Sequence, residues 1–389
     1  MRIGFDVSQT GDGKAGCGYF ADSLLRALAE RDRTNQYVLY PTFGDGVWDA
    51  GWPHSVVRIQ APHVRMGLGH RDRAELERFW QHPDSDLEEQ LGSPDVIQSN
   101  NFYCPTNVRR ARVVYTLHDL SFMDHPDWST EENRLTCFGG VFNASLYADQ
   151  VVAVSRHTRE HFLGLFPHYP AERVSVVYEA SRYQGKGRLG RRPPDLPPLN
   201  PDAFWLAVGT LEPRKNYPRL LRAYARLCAG AASPRPLVVV GARGWLLDEL
   251  DQTVAQLAAR RQLLQLGYVS DAALQWLYEN CFGFVYASLF EGFGLPVVEA
   301  MSRGAAVVAS SGTSLPEVVG DAGLLVDPLD ESAILAGMQR LDADEETRQR
   351  LKTRAAERAA TFSWATAADQ VLDIYARVLA RPPAPAAVV

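Results

Sequence analysis

The chain has 389 residues, 46% of them hydrophobic and 22% charged, which marks a globular protein too long for a single core. Its formal net charge is −6 and neither half carries a basic excess, which excludes a nucleic-acid-binding module. Five scattered cysteines (Cys17, Cys104, Cys137, Cys228 and Cys281) include no CxxC pair, which speaks against a zinc site and suits a reducing cytoplasm.

The opening residues, MRIGFDVSQ, read as a strand rather than a signal peptide, and no apolar run is long enough for a membrane span. Further strands are expected at 36–40, 56–60, 95–99, 112–119, 150–155 and 173–178, each a short apolar run. A second series follows at 204–210, 236–244, 263–269, 281–288, 305–311 and 323–328. Helical patterns separate them, so the fold class is α/β with parallel strands covered on both faces. The segment 185–202, GKGRLGRRPPDLPPLNPD, is rich in Gly, Pro and Arg and reads as the boundary between two doubly wound domains. The limits expected are 1–190 and 201–362, with a last helix over 363–380 and a disordered tail from 381.

Ligands of open α/β sheets bind beyond the carboxyl ends of the strands, so functional residues are expected at those ends. After the first strand come Gly11, Gly13, Gly16 and Gly18. The acid that a dinucleotide fingerprint needs at the end of the second strand is missing, which argues against a dehydrogenase. Residues 64–80 place Arg65, Arg71, Arg73 and Arg78 beside apolar side chains, as a solvated helix or a face for anionic lipid; Arg109, Arg110 and Arg112 are a second such surface. Asp84, Ser85 and Asp86 spell DxD away from any strand end and read as a loop or cap, with no metal expected. The run 112–119 ends in His118 and Asp119, a pair suited to acid–base work, substrate contact or capping.

In the second half, the run ending at Gly209 leads into Arg214, Lys215 and Asn216. Two cations there can neutralise a diphosphate leaving group, and Asn216 can cap the following helix. The run 281–288 leads into SLFEGFGLPVVEA. Gly292 and Gly294 permit close backbone approach, Pro296 suits a helix start, and Glu299 is expected in the first turn. Glu291 and Glu299 then flank an anion site at the helix N-terminus, where carboxylates serve sugar and ribose hydroxyls. Ser311 to Ser314 offer hydroxyls to a phosphate or an ordinary cap, and Glu317 reads as a first-turn acid.

Together these motifs resemble the retaining GT-B glycosyltransferases, in particular glycosyltransferase family 4. Glu291 to Glu299 resembles that family's E-x7-E motif, and VGTLEPRKN its phosphate-contacting loop. TLHDL, VVAVSRHTRE and TSLPEVVGDAGLLVDP are also similar to family members. The resemblance implies two Rossmann-like domains facing across a cleft, acceptor side first and donor side second, with the last helix crossing back. It implies a hexosyltransferase in which Glu291 contacts the donor sugar, Glu299 the ribose, and Arg214 and Lys215 the diphosphate. Gly209, Thr210, Gly292, Phe293, Gly294 and Leu295 line the donor, and Gly16 lies near the phosphates. His118 faces the donor sugar with Asp119 supporting it. Thr210 departs from the pattern, since many members carry Arg directly after that glycine.

The reaction so implied is sugar transfer from a nucleotide diphosphate sugar to a hydroxyl with retained configuration and no metal or other cofactor. The departing phosphate oxygen deprotonates the acceptor on the same face. GDP-mannose is the preferred donor, with UDP- or dTDP-sugars as the alternative. The acceptor expected is a glycan or lipid-linked oligosaccharide, met in the cytoplasm or at the inner membrane face, with peripheral contact to anionic lipid and no nucleic acid. A nucleotide-sugar epimerase, and a periplasmic sugar binder lacking its signal peptide, are the remaining alternatives.

Overall fold

The computed structural model describes residues 1–11, 14–43, 57, 59–67, 79–80, 85–185, 187, 190–242 and 251–382. Gly13, Arg71, Arg73, Arg78, Asp84 and the tail from 383 lie outside the described residues. The chain divides into two compact units, Met1–Glu179 with the chain from Trp364, and Ala180–Ser363.

The first unit holds β1 (Arg2–Asp6), β2 (Gln36–Tyr40), β3 (Val64–Met66), β4 (Val96–Ser99), β5 (Arg112–Leu117), β6 (Gln150–Ala153) and β7 (Val174–Val176). They form one parallel sheet in the order β3-β2-β1-β4-β5-β6-β7. The second unit holds β8 (Trp205–Val208), β9 (Leu237–Val240), β10 (Leu263–Gly267), β11 (Gly283–Tyr286), β12 (Val307–Ser310) and β13 (Leu324–Val326). These too are parallel, in the order β10-β9-β8-β11-β12-β13. Both orders grow outward in two directions from the first strand. Each sheet therefore reverses once, between β1 and β4 and between β8 and β11, and a crevice for ligand opens at such a reversal.

The strands pair as expected from their sequence. β4, β6, β9, β11 and β12 are buried along their whole length, as strands covered by helices on both faces must be. The exception is the run 56–60. Val57, Ile59 and Gln60 carry no strand, and β3 comes after them. β3 is an exposed sheet edge, and an edge needs no apolar run to mark it.

Helix starts are locally encoded. Ser155, Thr130 and Ser270 each accept a hydrogen bond from the N–H three residues on, which satisfies a donor that the helix leaves open. Within the first unit the closing helix Trp364–Ala380 packs on the helix Gly16–Arg31. Arg31 donates to both oxygens of Asp369 at 2.6 and 2.5 Å, Trp364 meets Phe20 edge-on at 5.8 Å, and Tyr375 donates to Gln98 Oε1 at 3.1 Å. In the second unit, Gly283 exists for packing: a Cβ there would lie 2.5 Å from the buried Trp205 ring.

Candidate functional site

The reversal point of the second sheet carries a cluster of four charged side chains. Past β8 a single 3-10 turn, Pro213–Lys215, presents Arg214 and Lys215; past β11 comes Glu291. Lys215 Nζ donates to Glu291 Oε1 at 2.6 Å and to the Tyr286 hydroxyl at 2.6 Å, and it sits 5.0 Å from the Tyr286 ring centre. Arg214 Nη1 donates to Glu291 Oε2 at 3.1 Å and to Phe290 O at 3.0 Å, and its Nε and Nη2 hold Glu212 Oε1 at 3.1 and 2.8 Å. Glu291 is 6% exposed. Burial alone would raise its carboxyl, but Lys215 and Arg214 outweigh burial and bring it down to about 2. Burial and Arg214 in turn push the Lys215 ammonium below its ordinary value.

The two cations are thus engaged with Glu291 and Glu212, a charge-balanced set of four. An ionised carboxylate offers about four acceptor positions, and the bonds to Lys215 and Arg214 take two of them. Gly209 has φ +148, a conformation that L side chains rarely adopt, and a Cβ there would lie in ordinary contact with the Lys215 stem at 3.4 Å. Thr210, which follows it, is half-buried and takes up the short turn into Leu211, whose N–H donates to Ala242 O at 3.0 Å.

The loop bearing Glu291 is clamped from the next strand. Thr313 Oγ1 accepts from the Glu291 N–H at 3.0 Å, and Ser314 Oγ meets Glu291 O at 2.9 Å and Phe293 O at 3.1 Å. Ser314 makes no side-chain cap of the helix Leu315–Val319, so these hydroxyls hold a loop rather than acting as caps. Glu317 does fall in the first turn of that helix. Gly292 and Gly294 are buried, Phe293 packs edge-on against Phe362 at 5.5 Å, and Gly294 has φ +102, a conformation that favours glycine. Asn216 stands at the start of the helix Tyr217–Ala229 but does not cap it; its amide donates to Ala287 O and Pro328 O at 2.9 and 2.7 Å.

Glu299 lies elsewhere than the sequence suggested. The helix runs Leu295–Ser302 with no acid in its first turn, so Glu299 is its fifth residue. Its Oε1 lies 3.0 Å from Arg182 Nε, and its Oε2 accepts from the Tyr278 hydroxyl at 3.2 Å. Arg182 also reaches Asp271 Oδ1 at 3.3 Å. Reading the sequence missed Arg182, Tyr278, Tyr286 and Glu212.

In the first unit the strand ends are tied by a buried polar chain. Asp6, ending β1, accepts from the Ser8 N–H and Oγ and from the Asn100 N–H at 2.9, 2.7 and 3.1 Å. Burial pushes its carboxyl up to about 6 against those bonds. His118, just past β5, places Nε2 3.0 Å from Asn100 O and Nδ1 3.8 Å from Glu179 Oε1. Asp119 does not support the ring. Its Oδ1 accepts from the Ser121 N–H and Oγ at 3.0 and 2.7 Å, the capping alternative. Gly16 opens its helix, and a Cβ there would meet nothing within 4 Å. Glu179 was also missed, although it follows the end of β7 and the strand-end rule applies to it. Of the basic surface read at Arg109, Arg110 and Arg112, Arg110 Nε lies 3.3 Å from Glu88 Oε2 with its side chain 66% exposed, and Arg112 Nη1 lies 3.7 Å from Asp149 Oδ1.

Comparison with known proteins agrees with this architecture. The family model described as Glycosyltransferase Family 4 matches residues 15–180, and that described as Glycosyl transferases group 1 matches residues 194–358. The chain is 37% identical to the O-antigen chain mannosyltransferase B of Escherichia coli over 286 residues, 72% of this chain and 74% of that one. It is 38% identical to the serotype-specific mannosyltransferase WbdA of the same organism over 46% of this chain, spanning 22% of that longer protein. Among solved structures, Anabaena Alr3699/HepE in complex with UDP and glucose superposes with a TM-score of 0.71 at 20% identity, covering 97% of this chain and 100% of that one. The two parallel-sheet units are those of the GT-B fold. The chain is a glycosyltransferase and belongs to glycosyltransferase family 4.

Proposed function

We propose that the enzyme transfers mannose from GDP-mannose to a hydroxyl of a growing glycan or lipid-linked oligosaccharide with retention of configuration. The observation that carries this reading is the Lys215–Glu291–Arg214 cluster at the sheet's reversal point. A carboxylate held ionised there accepts donor-sugar hydroxyls, while Lys215 and Arg214 supply positive charge for the diphosphate as it departs. The backbone of Gly292, Phe293 and Gly294, leading into the helix at Leu295, serves sugar and phosphate, and Gly209 and Thr210 line the same site. Glu299 serves the ribose and Gly16 the phosphates.

His118 of the first unit contributes at the donor sugar. The cations take the place of a metal, so the reaction runs in EDTA. The mannosyltransferase names of the relatives favour mannose and a surface-polysaccharide acceptor. UDP- and dTDP-sugars are the alternative donors. Among the described residues no helix is long and apolar enough to cross a membrane, and the contact proposed with an anionic, inner-face membrane is peripheral. Vesicle co-sedimentation with and without anionic lipid tests that contact, and absence of binding removes it.

The test of the function is a thermal-shift panel of GDP, UDP, dTDP and NAD. A ligand at about 100 times its Kd stabilises the folded state by about 2.7 kcal/mol. GDP is expected to give the largest shift, and a shift with NAD alone overturns the reading.

A further inference from the structure

We propose that Glu179 is a positioning residue that holds His118 as an imidazolium, so that His118 offers the donor fixed positive charge and never acts as a base. The proposal rests on the glycosyl-transfer reading only for what that charge serves. The geometry comes first. Nε2 of His118 faces the Asn100 carbonyl oxygen at 3.0 Å, and a carbonyl only accepts, so Nε2 carries a proton. The neutral ring would then turn the lone pair of Nδ1 toward Glu179 Oε1, 3.8 Å away. Protonating Nδ1 replaces that repulsion with attraction between two side chains 9% and 6% exposed, where little water screens them.

Two aromatic side chains flank the ring. Phe20 meets the ring edge-on at 5.2 Å and Phe102 at 6.4 Å. The Cys17 thiol on the helix Gly16–Arg31 is the second polar group beside it. Thr158 Oγ1 reaches the His118 carbonyl at 3.4 Å, Asp6 binds behind Asn100, and the Asp119 carboxylate turns to Ser121. Burial alone would push the imidazole down, but Cys17 and Glu179 together hold it well above its ordinary value. Its charge is therefore fully present below the unfolded value of about 6.5 and is lost only as pH rises through the raised folded value. A ring with both N–H groups committed cannot take the acceptor's proton, which leaves that proton to the departing phosphate oxygen.

The experiment is NMR of the full chain labelled with 13C and 15N in histidine, with His118 assigned by its loss in His118→Gln. At pH 7.5 the wild-type ring is expected to show the imidazolium signature. In Glu179→Gln its titration midpoint falls by about one pH unit or more, a tenfold loss of proton affinity. Glu179→Asp restores most of it. The alkaline limb of kcat moves down in Glu179→Gln by the same interval, whereas a merely structural role would lower Tm and leave the limb in place.

A neutral His118 at pH 7 in the wild type overturns the proposal, and that result does not depend on any variant folding. An unchanged midpoint in Glu179→Gln, or one that responds only to Cys17→Ala, does the same. Titration as expected without nucleotide-sugar binding keeps the His118–Glu179 pair and removes the glycosyl-transfer reading; transfer with an unchanged midpoint does the reverse.

Discussion

The Nζ of Lys215 lies 2.6 Å from Oε1 of Glu291, tying the loop after β8 to the loop after β11 across the point where the strand order reverses. Neither charge is isolated in this buried place: Arg214 completes the pair from the other oxygen, and Tyr286 takes a second bond from Lys215.

Lys215→Ala is expected to lower kcat at least about 100-fold, the cost of removing one charge-stabilising donor from a dry site. Steady-state kinetics beside circular dichroism separates this from unfolding. Turnover within a few-fold of wild type would place the departing charge elsewhere.

Glu291 titrates below its unfolded value, so its stabilising pairing is present above about pH 4.5 and is lost as pH falls toward about 2. Tm measured from pH 5 to pH 2 should therefore fall more steeply for wild type than for Glu291→Gln, whose curve starts lower at neutral pH. Parallel curves would show that the carboxylate is not ionised by its neighbours.

Arg182 and Glu299 are ion-pair partners, 11% and 5% exposed, and removing Arg182 takes a counterion from the buried Glu299 carboxylate. Arg182→Met should cost about 3–5 kcal/mol. Adding Glu299→Gln should recover part of it, with a coupling of about 1–3 kcal/mol in a double-mutant cycle by urea unfolding. Strict additivity would mean that the pair contributes nothing.

Thr313→Val deletes the hydroxyl that receives the Glu291 N–H while keeping side-chain shape. The buried N–H is then unpaired, at a cost of about 1–3 kcal/mol. The Glu291 loop should also loosen, seen as faster amide exchange at residues 290–294. Unchanged exchange would mean that the loop is held without this bond.

Strand ends explain what could be read in advance. Glu291 and Lys215 each follow a long apolar run, and adjacency of those two runs is a consequence of the doubly wound order, so their meeting was accessible from the sequence. The parallel sheets were legible for the same reason, because a strand buried on both faces needs uninterrupted apolar residues. β3 was not, since an edge strand lacks that signal. Arg182 and Glu179 follow the three-residue β7, and nothing local shows that one meets a helix more than a hundred residues on and the other a histidine just past β5. Glu299 was placed one residue too early in the helix, and so in its first turn, by reading Pro296 as the first helical residue, when Leu295 holds that position. Asp119 was paired with its sequence neighbour, although the turn to Ser121 gives it a nearer use.

The most direct test of the Glu291–Lys215 site is the anomeric proton of the product. Purified enzyme is given GDP-α-mannose and a mannose-terminated oligosaccharide in EDTA, and the new linkage is read by NMR for wild type, Glu291→Gln and Lys215→Ala. The α-linked product from wild type, lost in both variants while they still fold, is the expected result. A β-linked product, or undiminished transfer by the two variants, would contradict it.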